Sequence, residues 1–137
     1  MELEEVQKLR ALITVQACKA YLNRFDTHDG KEWSEWVKVH KEAIKGSPLL
    51  KDMEHEAAYY SSLMADAFIR IFEKKKIKNE FVIKTSIEIM PEVYHVYIQP
   101  SDSILLKNGI SWYDDLARSC VKYAEALALI LGINSKL

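Results

Sequence analysis

Four lysines crowd into the segment EKKKIKNE at residues 73–80, a density of positive charge suited to binding phosphate groups. Between residues 70 and 84, six basic side chains stand against two acidic ones, a local balance of +4. Two tyrosines follow, and single-stranded nucleic acids are bound by lysine–phosphate pairing together with base stacking on aromatic rings. The sequence therefore predicts a nucleic-acid contact made by phosphate-binding lysines and stacking tyrosines. Its residues are Lys74, Lys75, Lys76, Lys78, Lys84, Tyr94 and Tyr97.

The same lysines have a second explanation in local structure. Lysine is favourable at the C-terminus of a helix, where it balances the negative end of the helix dipole, and lysines along a strand edge hinder aggregation. The whole chain carries 19 basic and 20 acidic side chains, a net charge of −1, so no overall field attracts a polyanion. Both explanations stay open at the level of sequence, and any polyanion site must be local.

Histidine, cysteine and carboxylate residues form no catalytic or metal-binding pattern. Glu92 and His95 have ExxH spacing, but residues three apart point to opposite faces of the strand predicted there. Cys18 and Cys120 are isolated and fall on apolar helix stripes, where a thiol more often packs than reacts. The chain also lacks a Gly-rich loop followed by Lys and Ser or Thr that would cradle a phosphate. We therefore predict no metal, no cofactor and no enzymatic activity.

One enzymatic alternative is a small ribonuclease. Arg24 and His28 resemble the Arg and His pair of the helical nucleotide-binding ribonuclease toxins, although the three residues between them are fewer than in those toxins. The resemblance implies toxicity on expression that the substitution His28→Ala would relieve.

The spacing of apolar residues predicts the elements that position these side chains. Apolar residues recur at steps of three and four in four segments, which is the pattern of amphipathic helices. The predicted helices span residues 2–24, 32–45, 53–76 and 112–131. A chain of 137 residues has the size of one domain, so the helices are expected to share a single core.

The segment FVIKTSIEIM at residues 81–90 departs from the helical pattern. Its residues alternate between two sets and are rich in β-branched side chains, which favours a half-buried strand. Pro91 would turn the chain, and residues 93–99 repeat the alternation up to Pro100. The predicted fold is therefore a mainly α bundle of about four helices with a small β-hairpin at about 80–100, an α+β architecture.

The last predicted helix changes character along its length. Its end, ALALILGI at residues 126–133, is apolar all round, and such an end must be covered by the domain itself or by another subunit. We predict a protein-interaction surface there. Its residues are Leu127, Leu129, Ile130 and Ile133.

Composition and the N-terminal segment bear on where the protein acts. The start MELEEVQKLR is acidic and amphipathic, unlike a signal peptide, and no apolar run reaches the roughly 18 residues that span a bilayer. We therefore expect a cytoplasmic protein with no membrane partner. Abundant Lys, Glu, Ile and Tyr with scarce Gln is a bias reported for hyperthermophiles, which suggests an archaeal, thermophilic source.

A helical domain of this length, with a β-hairpin before its last helix, resembles the small subunit of archaeal type I-A CRISPR interference (Cascade) complexes. The resemblance covers the whole chain as an order of elements and rests on no residue motif. It implies a non-catalytic subunit in antiviral defence that self-associates into a filament and helps hold target DNA near the guide RNA heteroduplex. The function expected first is thus a subunit of a nucleoprotein assembly that binds single-stranded DNA or RNA and other subunits. The alternative is a protein-interaction module of viral or mobile-element origin that acts through the apolar helix without nucleic acid.

Overall fold

The computed structural model describes three stretches of the chain, residues 2–26, 53–98 and 110–133. They fold into four helices: α1 (Leu3–Asp26), α2 (Met53–Lys74), α3 (Glu80–Ile98) and α4 (Ile110–Ile130). Three of the predicted helices are confirmed with ends shifted by about two residues, and the predicted helix at 32–45 lies outside the described residues. Among the described helices, none has the length and apolar character needed to cross a membrane.

The four helices pack as a closed cycle, α1 on α2, α2 on α4, α4 on α3 and α3 on α1. Helices α2 and α3 therefore lie across the core from each other although they follow each other in the chain. Side chains of α1 and α2 pair in opposite order: Arg10 lies 2.7 Å from Asp66, and the Tyr21 ring stacks near that of Tyr60. These two helices are antiparallel.

Helices α2 and α4 run in the same direction. The guanidinium of Arg70 donates to the carboxylate of Asp114 at 2.6 Å, and further towards the C-termini of both helices Lys75 Nζ lies 3.2 Å from Glu125 Oε1. Because residue numbers rise together along both helices, the C-terminal ends of α2 and α4 lie at the same end of the bundle. The N-terminal half of α1 reaches this end too, since α1 is antiparallel to α2.

The core is centred on α2, which is buried on more than one side. Phe68 and Phe72 are fully buried and contact each other edge to face with ring centroids 5.9 Å apart. Ile13 of α1, Met90 of α3 and Leu116 of α4 are also fully buried in the same cluster. Buried residues recur at helical spacing along α2 and most of α1, which confirms the amphipathic pattern predicted for these two helices.

The structure does not support the predicted β-hairpin, because residues 80–98 form the single helix α3. The buried residues Val82, Ser86 and Met90 are four apart, which is the spacing of one helix face. In the alternating set that begins with Phe81 and Ile83, only Ile87 is buried, and the other members are half-buried. A wide apolar helix face contains both odd- and even-numbered positions, and over ten residues it resembled the alternation of a strand.

Asn79 explains why α3 begins where it does. Its side-chain oxygen accepts hydrogen bonds from the backbone N–H groups of Phe81 at 2.9 Å and Val82 at 3.3 Å. An N-cap of this kind stabilises a helix by about 1 kcal/mol. Pro91 lies inside the helix and cannot donate to the Ile87 carbonyl, yet α3 continues through it. Cap and packing together therefore outweigh the proline.

Candidate functional site

The lysine run forms the end of α2 and the turn that follows it. Lys76 has a positive φ of 55°, its N–H donates to the Glu73 carbonyl at 3.1 Å, and the Ile77 N–H donates to the Phe72 carbonyl at 2.9 Å. These two bonds define a Schellman turn, which ends a helix and satisfies its last carbonyls. Ile77 then packs half-buried against the core. The backbone of the run is thus explained by local structure.

Side chains of the run divide between intramolecular and solvent contacts. Lys75 reaches across to Glu125 of α4 at 3.2 Å, so its charge has a partner within the fold. Lys74, Lys76 and Lys78 are exposed, and so is Lys84 on α3. The structure therefore leaves four of the five predicted phosphate-binding lysines open to solvent and assigns Lys75 to an ion pair.

Tyr94 does not present its ring to solvent. It is 4% exposed and packs edge to face on Trp112, with ring centroids 5.8 Å apart. Burial raises the pKa of the adjacent Tyr113 well above its ordinary value, with a smaller effect from Tyr94, so this cluster is uncharged interior packing. A buried ring cannot stack on a base, which removes Tyr94 from the nucleic-acid site. The side chain of Tyr97 lies outside the described residues.

The C-terminal end of α4 adopts the same turn as α2 with a different surface. Gly132 has a φ of 72°, its N–H donates to the Leu129 carbonyl at 3.2 Å, and the Ile133 N–H donates to the Ala128 carbonyl at 2.8 Å. Ile133 is half-buried against the core, as Ile77 is. The predicted interaction residue Ile133 therefore faces the domain rather than a partner.

The apolar residues before this turn face solvent. The exposed fractions of their side chains are 79% for Leu129, 81% for Ile130 and 63% for Leu131. Leu127 is exposed to a lesser degree, together with Tyr123 one turn earlier. We call this set, Tyr123, Leu127, Leu129, Ile130 and Leu131, the apolar tip. The surface predicted from the sequence did not include Leu131, although it lies in the apolar run at residues 126–133, or Tyr123, which precedes that run.

A groove between the N-terminal halves of α1 and α3 is a second surface feature, and it has a volume of about 860 Å³. Its floor is aliphatic and its rim is charged. The lining residues are Glu2, Glu5, Lys8, Leu9, Leu12, Ile77, Lys78, Glu80, Ile83, Lys84 and Ile87. No sequence motif predicted this groove, because its two walls are about 70 residues apart in the chain.

In the described part of the chain, groups with catalytic potential are dispersed or buried. Among the described residues, no three His, Cys, Asp or Glu side chains converge as a metal site would require. Cys120 is fully buried, and its burial raises the pKa of the thiol to about 12, which keeps it protonated and unreactive. Cys18 is half-buried on α1. The Arg24 side chain and His28 lie outside the described residues, so the ribonuclease alternative stays a prediction.

Comparison with known proteins identifies no relative: no protein-family model, no curated protein and no solved structure matches the chain. The resemblance to the Cascade small subunit therefore stays a prediction.

Proposed function

We propose that this protein is a non-enzymatic helical subunit that binds another protein through the apolar tip of α4. The observation that carries the proposal is the exposure of Leu129, Ile130 and Leu131, all more than three-fifths accessible, next to one another on a capped helix end. Each aliphatic side chain of this kind gains about 1.5 to 3 kcal/mol when it is transferred from water into a packed interior. A partner surface supplies that interior.

The geometry of the tip suits recognition of a protein. Tyr123, Leu127 and Ile130 are spaced four and three residues apart and are all exposed, which is the anchor pattern of a helix that lies in a partner's groove. The Schellman turn at Gly132 holds the last turn of the helix in place before a partner arrives. The helix end therefore loses little conformational entropy when it binds, so more of the free energy gained by burying apolar surface contributes to affinity.

The test replaces Leu129 by Glu and Ile130 by Lys, which are the residue types that occupy the matching positions at the end of α2. Tagged wild-type protein is expressed in its native cells, co-purifying proteins are quantified, and the affinity of the recovered partner is measured by calorimetry. We expect the variant to lose the partner with at least a roughly tenfold weaker Kd, and wild-type binding to show a negative heat-capacity change.

The matched control is Lys122→Glu, an exposed substitution on the same helix outside the tip. It should keep the partner, which separates loss of apolar contact from a general change of charge. Equal recovery of the same proteins by wild type and the tip variant would contradict the proposed function.

A second candidate function, nucleic-acid binding, is favoured by one observation. Within the described residues, the exposed lysines Lys74, Lys76, Lys78 and Lys84 make no ion pair, in contrast to Lys75. Unpaired lysines gathered around the end of α2 and the start of α3 can meet a phosphate backbone. A protein contact at the tip and a phosphate contact here are what a subunit of a nucleoprotein assembly needs.

Fluorescence anisotropy with a labelled single-stranded DNA, titrated at two salt concentrations, tests this candidate. Four phosphate contacts on a single strand give a log–log salt slope near roughly −2.8. The Lys74, Lys76, Lys78 and Lys84 quadruple Ala variant should lose most of that slope, whereas Lys75→Ala should change it little because Lys75 is held by Glu125. Absence of binding at low salt would exclude the candidate.

A further inference from the structure

The groove between α1 and α3 combines an aliphatic floor with two edges of opposite charge. Five aliphatic side chains form the floor: Leu9, Leu12, Ile77, Ile83 and Ile87. Leu12 of the floor is 48% exposed, and the apolar surface continues beyond the floor along α1 to Val15, which is 54% exposed. The edge from α1 carries Glu2, Glu5 and Lys8, and the opposite edge carries Lys78 and Lys84 together with Glu80.

Five of the six charged side chains on these edges form no ion pair with the described residues. Lys8 on the α1 edge is paired with Glu4 at 3.5 Å, which leaves that edge acidic. The other rim residues form no ion pair in the part of the chain that the structure describes; they are Glu2, Glu5, Lys78, Glu80 and Lys84. The α1–α2 and α2–α4 junctions, by contrast, are bridged by arginine– or lysine–carboxylate pairs. Across the groove, the described residues form no such bridge.

We propose that the groove is the contact surface between two copies of this chain, related by a two-fold axis that runs along the helices. The N-terminal halves of α1 and α3 line the groove side by side, so such a rotation places α1 of one copy on α3 of the other. Glu2 and Glu5 of each copy then face Lys78 and Lys84 of its partner, and the contact is made twice.

A second copy fits this surface better than a partner of one charge sign does. A uniformly acidic partner would satisfy Lys78 and Lys84 and repel Glu5, and a basic partner would do the reverse. The floor and the exposed Leu12 and Val15 are covered in the same step, which supplies the apolar contact that charge pairs alone do not. This inference goes beyond the proposed function, since the tip and the groove lie on different elements. It is an alternative to the phosphate contact at Lys78 and Lys84, because the dimer would cover these two lysines.

Sedimentation velocity over a range of concentrations tests the dimer with two charge-reversed variants. Glu2→Lys with Glu5→Lys places like charges across the interface, and so does Lys78→Glu with Lys84→Glu. We expect each variant alone to weaken the dimer by at least about tenfold in Kd. We expect an equimolar mixture of the two to form a heterodimer, because the acidic and basic edges are complementary again.

The control is Lys19→Glu with Lys122→Glu, two exposed lysines outside the groove, which should leave the dimer unchanged. Circular dichroism checks that each variant is folded, since Glu5 also favours the start of α1 through the helix dipole. If the α1 variant unfolds, the Lys78 and Lys84 variant and the salt dependence of the wild-type dimer decide the question.

Three results would overturn the inference: a wild-type chain that sediments as a monomer throughout, a dimer insensitive to charge reversal, or a dimer lost only on substitution of Leu129 and Ile130. The last of these would leave the proposed function standing and move self-association to the apolar tip. Restoration of dimer in the mixture of reversed variants would support the groove and would leave the partner of the tip to be identified separately.

Discussion

Helices α2 and α4 end in the same backbone turn, but the surfaces they present there differ. Aligned at the residue with positive φ, the α2 end has the sequence EKKKI at residues 73–77 and the α4 end has LILGI at residues 129–133. The final isoleucine is half-buried against the core in both. The three residues before the residue with positive φ are exposed in both, charged at α2 and aliphatic at α4.

This comparison separates what the turn requires from what the surface offers. The turn requires a residue that tolerates positive φ and an apolar residue after it, and both ends meet these needs. Nothing in the turn requires Leu, Ile and Leu at the exposed positions of α4, because Glu, Lys and Lys fill them at α2. The lysine run is thus the ordinary form of a helix end in water, and the apolar tip is the exception that points to a partner.

The largest effect should come from the residue beneath the α2 end. Phe72 is fully buried one turn before Lys76, and Phe72→Ala should lower the free energy of unfolding by about 3 to 5 kcal/mol through lost transfer energy and a cavity. The counterpart change Leu129→Ala at the tip should cost less than about 0.5 kcal/mol. Urea unfolding measures both. A large loss from Leu129→Ala would mean that the tip already packs within the monomer.

A smaller effect should follow from exchanging the residues of positive φ. Gly132→Lys should destabilise the protein by about 1 kcal/mol, because a Cβ is disfavoured at this φ although a Cβ there meets no neighbour within 4 Å. Lys76→Gly should stabilise it by a similar amount. Thermal unfolding of the two single variants and of the double variant checks the opposite signs. Two changes of the same sign would show that the ends are not equivalent.

The smallest effect concerns the contact between the two ends. The Lys75–Glu125 pair joins residues that are one-third to one-half exposed, so solvent screens it. A double-mutant cycle with Lys75→Ala and Glu125→Ala should give a coupling of roughly 0.2 to 1 kcal/mol that falls at high salt. A coupling energy of zero would mean that Glu125 does not hold Lys75, which would then be as available to bind phosphate as the other exposed lysines.

The error at α3 shows where local pattern stops being informative. Over residues 81–90 the apolar positions satisfy both an alternating and a helical spacing, because α3 is flanked by α1 and α4 and buries a wide face. Asn79 followed by Glu80 was the available sign of a helix start, since Asn caps helices and an acid suits the first turn. Pro91 argued against a helix at this position, because a proline is expected to break a helix, yet α3 continues through it.

The sequence by itself determined three helices, the amphipathic pattern of α2 and of most of α1, and two segments, the lysine run and the apolar tail, that could meet partners. Those features depend on residues close together in the chain, whose spacing fixes the face they share. Only the tertiary structure decided that Lys75 is paired with Glu125, that Tyr94 is buried on Trp112, and that Ile133 turns inward while Leu129 and Ile130 do not. The groove also depends on tertiary structure, because its walls are far apart in sequence and meet only when α1 packs beside α3.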